Sequence, residues 1–211
     1  MLGLGAVYLL YDGVVVRVLL TNDDGFHAHG IKVLRDIVSQ AFSEVWISAP
    51  AGNCSGMSRS ITVNSAVTVR CVGDREYTVD GTPVDSVVLG MLTMRNVAGV
   101  EPDLVLSGIN HGSNVGSRIL YSGTIAAAAA AAAVGVPSIA ISQEYCASEI
   151  NWKNSEKVLL GMIESFLSDE RWNRQSVMSI NIPHADIKGT YFVEQGEYWP
   201  HDGVVSEEGK T

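Results

Sequence analysis

The sequence predicts an α/β fold built on a doubly wound, mostly parallel sheet. Strand segments that are continuously aliphatic, as in strands buried on both faces, alternate along the chain with helical patterns. Stretches rich in Gly, Ser, Asn and Asp follow several of these strands, as expected where a strand gives way to a helix. Strands that alternate with helices favour a parallel sheet with right-handed crossovers. We find no internal repeat and no linker that would divide the sequence into two domains.

Composition sets limits on the class of protein. With 211 residues, 46% of them hydrophobic and 18% charged, the chain is expected to fold as one globular domain. The net charge is −9 and the sequence has no cluster of Lys and Arg, which argues against a nucleic-acid polymer or an anionic membrane as partner. The first ten residues are apolar but lack basic residues, and Asp12 follows too soon for a spanning helix, so we expect neither a signal peptide nor a membrane anchor.

The three cysteines are widely spaced and form no C-x-x-C motif. This pattern suits free thiols in a reducing compartment and predicts a cytoplasmic protein. We interpret Cys71 and Cys146 as small core residues, whereas Cys54 lies in a loop rich in glycine and serine.

The first half of the chain contains the predicted opening strand and an antiparallel excursion. A helix start is predicted at Thr82 as N-cap with Pro83 in the first turn, and capping is the favoured role for Thr82 and Asp85. Three short β runs before it, the last two joined by a hairpin turn at Gly73-Asp74, are expected to form the excursion beside the main sheet. The predicted elements are a strand over Val14–Leu20, a helix over Gly30–Gln40, a strand over Glu44–Ala49, and the β runs Ile61–Val63, Val67–Val72 and Glu76–Val79.

The second half continues the alternation. An alanine-dominated helix follows Tyr121-Ser122-Gly123-Thr124, with Ser122 or Thr124 as its cap, and Gly135 and Pro137 end it. The other predicted elements are strands over Asp103–Leu106, Val136–Ser142 and Val177–Ile182, and an amphipathic helix over Glu149–Leu167.

Two adjacent carboxylates, Asp23 and Asp24, follow the opening strand directly. Open α/β sheets bind ligands at the carboxyl ends of their strands. Neighbouring aspartates repel each other, and burying them is costly unless a cation or hydrogen-bond donors compensate. The alternative, a solvated turn, is equally consistent with this stretch taken alone, since Asn-Asp-Asp-Gly is favourable turn chemistry.

Four predicted loops bring side chains of the same chemistry to one edge of the sheet. They carry Asp23 and Asp24, Ser55, Ser107 with Asn110, and Ser122 with Thr124. Carboxylate, hydroxyl and amide oxygens suit a hard cation such as Mg²⁺ or Mn²⁺ rather than zinc. A capped helix N-terminus beside them would bind a phosphate through its N–H groups. The coincidence of four loops indicates a metal-dependent phosphoryl site.

Five ordered motifs also carry a family resemblance. They are Leu19–Gly25 (LLTNDDG), Ser55-Gly56, Val79–Pro83 (VDGTP), Ser107–Asn110 (SGIN) and Tyr121–Thr124 (YSGT). Together they resemble the SurE family of survival-protein nucleotidases, from about Arg17 to Pro183. The resemblance implies a Rossmann-like α/β fold and a divalent-metal-dependent nucleotidase that hydrolyses nucleoside 5′-monophosphates. It also implies activity of some members on 3′-monophosphates and on polyphosphate.

The resemblance further implies particular roles for residues. Asp23, Asp24, Ser55 and Asn110 match the family's metal ligands, which would hold one divalent cation per subunit, Mg²⁺ or Mn²⁺, with Ca²⁺ also able to occupy the site. We expect Asp23 and Asp24 to be the catalytic residues, orienting or deprotonating a water, while direct attack by Asp23 on phosphorus stays open. The expected substrate- and phosphate-binding residues are Asn22, Gly56, Ser107, Gly108, His111, Ser122, Gly123 and Thr124.

The resemblance also divides the chain and predicts its assembly. Residues 1–15 are expected to be an N-terminal extension, residues 16–188 the nucleotidase domain, and residues 189–211 a C-terminal arm, shorter than in the family, exchanged between the subunits of a homodimer or homotetramer. His29 and Cys54 depart from the family pattern, which commonly has Pro at the first position and Arg or Gln at the second. For His27, His29 and His111, hydrogen-bonded loop residues are the favoured interpretation over metal ligands.

Two other functions remain open at this point. The change at Cys54 and the short C-terminal segment motivate a non-catalytic nucleotide or metal sensor that retains the geometry of the site. A phosphatase with non-nucleotide substrates is the second.

Overall fold

Strands make up the centre of the computed structural model, which describes residues 10–11, 14–147, 149–169, 172–173 and 175–196. The central strands are rich in aliphatic residues and are buried along most of their length, as predicted. In chain order the strands are β1 (Leu10–Tyr11), β2 (Val14–Val15), β3 (Arg17–Thr21), β4 (Glu44–Pro50), β5 (Val69–Gly73), β6 (Glu76–Val79), β7 (Leu104–His111), β8 (Ser138–Gln143), β9 (Tyr145–Cys146), β10 (Glu149–Ile150) and β11 (Met178–Ile182).

Seven of these strands form the main sheet, in the order β11-β8-β7-β3-β4-β6-β5. Every neighbouring pair is parallel except β5 and β6, which are antiparallel. From β3 the chain passes to β4 on one side and later returns to β7 on the other side. The strand order therefore reverses between β3 and β7, which is where open α/β sheets form a crevice for ligands. The predicted fold class is confirmed.

Helices cover both faces of this sheet. On one face α1 and α4 contribute Leu34 and Leu159 to a core with the strands, and on the other face α2 and α3 contribute Val87 and Ala127. The helices are α1 (His29–Val38), α2 (Pro83–Ala98), α3 (Gly123–Ala133) and α4 (Trp152–Leu167), with a 3₁₀ helix over Gly116–Tyr121. At 16 residues, the longest helices among the described residues are too short to span a bilayer.

The start of α2 is the predicted one. The hydroxyl of Thr82 accepts a hydrogen bond from the Asp85 N–H, and the Asp85 carboxylate accepts one from the Thr82 N–H. This reciprocal capping box satisfies two of the donors that a helix N-terminus otherwise leaves free. Pro83 occupies the first helical turn, and Gly99, at φ 67°, ends the helix.

The alanine helix α3 lies against β7, β8 and α2. Ala127, Ala128 and Ala131 are fully buried there, and the Ser138 hydroxyl donates to the Ala128 carbonyl. Small side chains allow the backbone of the helix to approach its neighbours closely. A run that lacks large core residues is therefore compatible with a buried helix.

Several detailed predictions are wrong. The predicted antiparallel hairpin of β5 and β6 is present, but it extends the edge of the main sheet instead of standing beside it, because β6 pairs with β4. The run Ile61–Val63 forms no strand, since the backbone N–H of Thr62 donates to the Asp85 carboxylate instead of a ladder partner. Cys71 and Cys146 are exposed rather than in the core.

The other differences concern boundaries. Glu149 and Ile150 pair antiparallel with β9, so the final helix begins three residues later than expected, at Trp152. Most of the predicted N-terminal extension lies outside the described residues, although β1 and β2 form an antiparallel pair within it. Of the predicted C-terminal arm, residues 189–196 contain neither helix nor strand, and 197–211 lie outside the described residues.

Candidate functional site

The turn after β3 presents Asp23 and Asp24 at the switch point of the sheet. The Asn22 side chain holds this turn, since its Nδ2 donates to the Gly25 carbonyl at 2.9 Å and its Oδ1 accepts from the Gly25 N–H at 3.2 Å. Gly25 has φ +101°, which favours glycine, and the next N–H, of Phe26, donates to the Pro50 carbonyl. The predicted Asn-Asp-Asp-Gly turn therefore exists, but it is packed into the protein instead of being solvated.

Asp23 is buried against the N-terminus of α3. Its side chain is 4% exposed, and the Thr124 hydroxyl donates to its Oδ1 at 2.6 Å. At Gly123, an added Cβ would lie 2.7 Å from the Cβ of Asp23 and 2.9 Å from its Oδ2. The absence of a side chain at Gly123 thus allows this carboxylate to reach the positive end of the helix.

The pKa of the Asp23 carboxyl is raised from its ordinary value. Burial is the main cause, and the neighbouring Asp24 adds to it, whereas the Thr124 hydrogen bond acts in the opposite direction. Among the described residues, Asp23 and Asp24 form no ion pair with a basic side chain. A positive charge placed beside them would therefore stabilise their ionised forms.

Asp24 connects this turn to the end of β7. The His111 N–H donates to its Oδ2 at 3.1 Å, across 87 residues of sequence. The pairing of β7 with β8 shifts register between Ser107 and Asn110, and such irregularities redirect the side chains that follow them. The Asn110 Nδ2 donates to the Gly112 carbonyl at 2.8 Å, so its own loop holds this amide.

The loop after β4, which carries Ser55, is tied to the same turn. The Cys54 N–H donates to the backbone carbonyl of Asp23 at 2.7 Å, and its Sγ lies 3.6 Å from the Gly81 carbonyl oxygen. Burial, followed by the charges of Asp23 and Asp85, raises the pKa of the Cys54 thiol, so the thiol stays protonated at neutral pH. Ser55, the next residue, is exposed.

The remaining predicted residues have varied surroundings. Ser122 caps α3 by accepting from the Ile125 N–H, so Thr124 is free to bond Asp23 and is not the cap. At Gly108, an added Cβ would lie 2.3 Å from the Ile141 carbonyl oxygen, which indicates a packing role. Gly56 is exposed, at φ +78°. Ser107 is fully buried inside β7.

The donor set that the sequence predicts, Asp23, Asp24, Ser55 and Asn110, has the chemistry of a site for a hard divalent cation. It consists of two carboxylates, one hydroxyl and one amide oxygen, all of them oxygen ligands that Mg²⁺ and Mn²⁺ prefer. Within the described residues there is no group of three or more His, Cys, Asp and Glu side chains suited to a metal. The buried hydroxyls of Thr21 and Ser107, at paired positions of β3 and β7, have no hydrogen-bond partner among the described residues. They add polar groups beneath this edge of the sheet.

A large cavity lies elsewhere in the protein. It has a volume of about 1200 Å³ and is bounded by α3, α4, β11 and residues 183–196. None of the predicted site residues lines it. The edge of the sheet at β3 and β7, and not this cavity, therefore remains the candidate site.

Two features beside this site are not evident from the sequence. The Asp85 carboxylate accepts bonds from the N–H and the hydroxyl of Thr62, which anchors the loop that follows Ser55 to the start of α2. Trp152, at the start of α4, lies against the rings of His29 and His111. A single tryptophan at a helix start carries no signal that separates such a position from ordinary packing.

Comparison with known proteins gives a consistent picture. The family model described as survival protein SurE matches residues 18–201. A 5′-nucleotidase SurE of Ehrlichia chaffeensis is 49% identical over 193 residues, covering 90% of this chain and 74% of that protein. A 5′-nucleotidase SurE of Anaplasma marginale is 50% identical over 183 residues, covering 84% of this chain and 70% of that protein.

A solved structure is similar as well. The crystal structure of the SurE protein from Aquifex aeolicus superposes with a TM-score of 0.77 at 36% identity. The match covers 86% of this chain and 73% of that one.

Proposed function

This chain belongs to the SurE family, and we propose that it acts as a 5′-nucleotidase that hydrolyses nucleoside 5′-monophosphates to nucleoside and phosphate with the help of a bound divalent cation. The names of its relatives support the nucleotidase activity. The observation that carries the rest is the contact of three separate segments with the Asp23-Asp24 turn. They bond it through the Cys54 N–H, the His111 N–H and the Thr124 hydroxyl.

The proposed cation ligands are Asp23, Asp24, Ser55 and Asn110, holding one ion per subunit. Mg²⁺ or Mn²⁺ is the proposed ion, and Ca²⁺ would fit the same oxygen ligands. When bound, such an ion offsets negative charge on the phosphate and lowers the pKa of a water. The raised pKa of Asp23 supports this assignment, since a buried carboxylate without a basic partner gains most from a cation.

The protein's own groups would position the reactants. Asp23 is held in one orientation by Thr124, so Asp23 or Asp24 is suited to orient or deprotonate the attacking water. The start of α3, at Gly123 and Thr124, would hold phosphate oxygens through the positive end of the helix, while the Thr124 N–H itself bonds the Asp23 carboxylate. The other residues of the proposed phosphate-binding loops are Asn22, Gly56, Ser107, Gly108, His111 and Ser122. Asn22, Gly108 and Ser122 would act by shaping these loops, through the turn bond, the close backbone packing and the helix cap. If a labelled phosphoaspartate were trapped, the attacking group would be Asp23 and not a water.

The substrate range follows from the same chemistry. In a nucleoside 3′-monophosphate and at the end of a polyphosphate chain, the group presented to the cation is also a terminal phosphate. We therefore propose 3′-nucleotidase and exopolyphosphatase activity as further reactions of this site.

We propose a homodimer or homotetramer in which residues 189–211 form an arm exchanged between subunits. Tyr191 and Val193 in this segment are 80% and 85% exposed, and large apolar side chains in that state favour burial against a partner. We also propose a cytoplasmic location, which the three free cysteines support. Light scattering on the purified protein would test the assembly, with a monomer contradicting it.

Phosphate release tests the function. AMP, GMP and p-nitrophenyl phosphate are each assayed with added Mn²⁺ and, separately, with EDTA. Release from the nucleotides that depends on Mn²⁺ supports the proposal. Nucleotide binding without release would favour a sensor, and release from p-nitrophenyl phosphate alone would favour a phosphatase with other substrates.

A further inference from the structure

Three aromatic rings lie side by side next to the candidate site. We call His29, His111 and Trp152 the aromatic patch, and we propose that it binds the base of the nucleotide by stacking; this inference rests on the proposed function. The Trp152 ring centre lies 5.3 Å from that of His29 and 5.4 Å from that of His111, with interplanar angles of 58° and 59°. These distances are within the range of direct aromatic contact.

His111 connects the aromatic patch to Asp24. The backbone N–H of His111 donates to the Asp24 carboxylate at 3.1 Å, while its imidazole belongs to the patch. A phosphate held beside Asp24 and a ring stacked on the patch would thus be close neighbours. A 5′-nucleotide has this arrangement, since a single ribose separates its phosphate from its base.

The residues of the patch are accessible from solvent. His29 and His111 are exposed and Trp152 is half-buried. Tyr145, which is 55% exposed, lies near the end of β7, with its ring 3.1 Å from where a Cβ of Gly112 would be. The loops at a sheet edge usually expose polar side chains, so a cluster of exposed rings next to a proposed catalytic site is unusual.

The indole is also fixed in place. At Gly30, an added Cβ would lie 2.0 Å from the Ile109 carbonyl oxygen and 3.2 Å from Cη2 of Trp152, so α1, β7 and α4 meet tightly there. Trp152 also packs against the main core. A ring that is already held in position loses little conformational entropy when a base stacks on it.

A flat nucleobase has the shape to stack on this surface. Stacking of a base on an aromatic side chain tolerates any base because every base has a π-face. We therefore infer a preference for nucleotides over base-free phosphate esters, with purines favoured through their larger ring area.

The test compares AMP with ribose 5-phosphate, which carries the same 5′-phosphate and no base. We expect Trp152→Leu to lower the ratio of kcat/KM for AMP to that for ribose 5-phosphate by at least about fivefold, mainly through KM for AMP. Trp152→Phe keeps a ring and should restore much of the ratio. Trp172→Leu is the matched control, because Trp172 packs on the same core beyond the opposite end of α4 and should leave the ratio unchanged.

The ratio of kcat/KM for AMP to that for ribose 5-phosphate tests this inference separately from the proposed function. An equal loss for both substrates in Trp152→Leu would assign Trp152 a purely structural role and overturn the inference. Equilibrium binding of AMP and ribose 5-phosphate by calorimetry requires no turnover. If neither substrate is hydrolysed, the proposed function fails, and the inference then stands only if AMP binds more tightly and Trp152→Leu removes that advantage.

Discussion

The close approach of Gly123 to Asp23 predicts the effect of a single added methyl group. Gly123 begins α3, and a Cβ placed there would lie 2.7 Å from the Cβ of Asp23. Ordinary van der Waals contact begins at 3.4 Å, so Gly123→Ala must separate the two by about 0.7 Å. The Cβ of Asp23 cannot escape by rotation of its side chain, and therefore its backbone, or the start of α3, has to move.

The expected effects of Gly123→Ala are large for activity and moderate for stability. Overpacking of this kind costs about 1–3 kcal/mol of folding free energy. A displacement of about 1 Å in catalytic geometry costs on the order of 10²-fold in rate. We therefore expect kcat/KM for AMP to fall by about two orders of magnitude.

Gly161→Ala is the matched control. Gly161 lies inside α4, and an added Cβ there meets no atom within 4 Å. Alanine in place of this glycine should stabilise the helix by about 0.5–1 kcal/mol and leave activity unchanged. Phosphate release and thermal melts measure both variants, and wild-type activity in Gly123→Ala would refute the reasoning.

Three other substitutions test the site and its supports. Burial raises the pKa of Asp23 above its ordinary value of 3.8, so the folded state favours the protonated form and stability is lost as pH rises through the folded-state pKa. Asp23→Asn should abolish turnover while its melting temperature at pH 7 equals or exceeds that of the wild type; retained phosphate release would contradict the assignment. Thr124→Val removes the 2.6 Å donor to Asp23, so it should raise the pKa of Asp23 further and shift the acidic limb of the pH–rate profile upward, whereas Thr124→Ser should not. Burial alone would raise the pKa of Asp85, but its hydrogen bonds from Thr62 and Thr82 together lower it. The ionised Asp85 carboxylate therefore stabilises the fold above about pH 4, and this stabilisation is lost at lower pH. By chemical denaturation we expect Asp85→Asn to be about 1 kcal/mol less stable than the wild type at pH 7 and closer to it in acid. An equal loss of stability at both pH values would contradict this.

Much of the fold was predictable because its signals are local. The continuous aliphatic strands identify the parallel sheet, and Thr82, Pro83 and Asp85 identify the start of α2 within a few residues of sequence. The short β runs were less predictable. Thr62, for example, is a residue type common in strands, but here it bonds Asp85, 23 residues away. Cys71 lies on the edge strand β5, where the sequence gives no indication of which face is solvated.

The candidate site was predictable in its residue types but not in its contacts. The bond from Thr124 to Asp23 joins residues 101 apart, and only the tertiary placement of the start of α3 against the turn after β3 creates it. The aromatic patch has no sequence signature, because Trp152, His111 and His29 come from three separate elements.

The central claim is that Asp23, Asp24, Ser55 and Asn110 hold one divalent cation. Crystals grown with Mn²⁺ test it most directly, through anomalous diffraction at the manganese absorption edge from the wild type and from Asp23→Asn. We expect one strong peak per subunit among these four side chains, and its loss in the variant. A peak elsewhere in the protein, no peak at this site, or an undiminished peak in Asp23→Asn would contradict the claim.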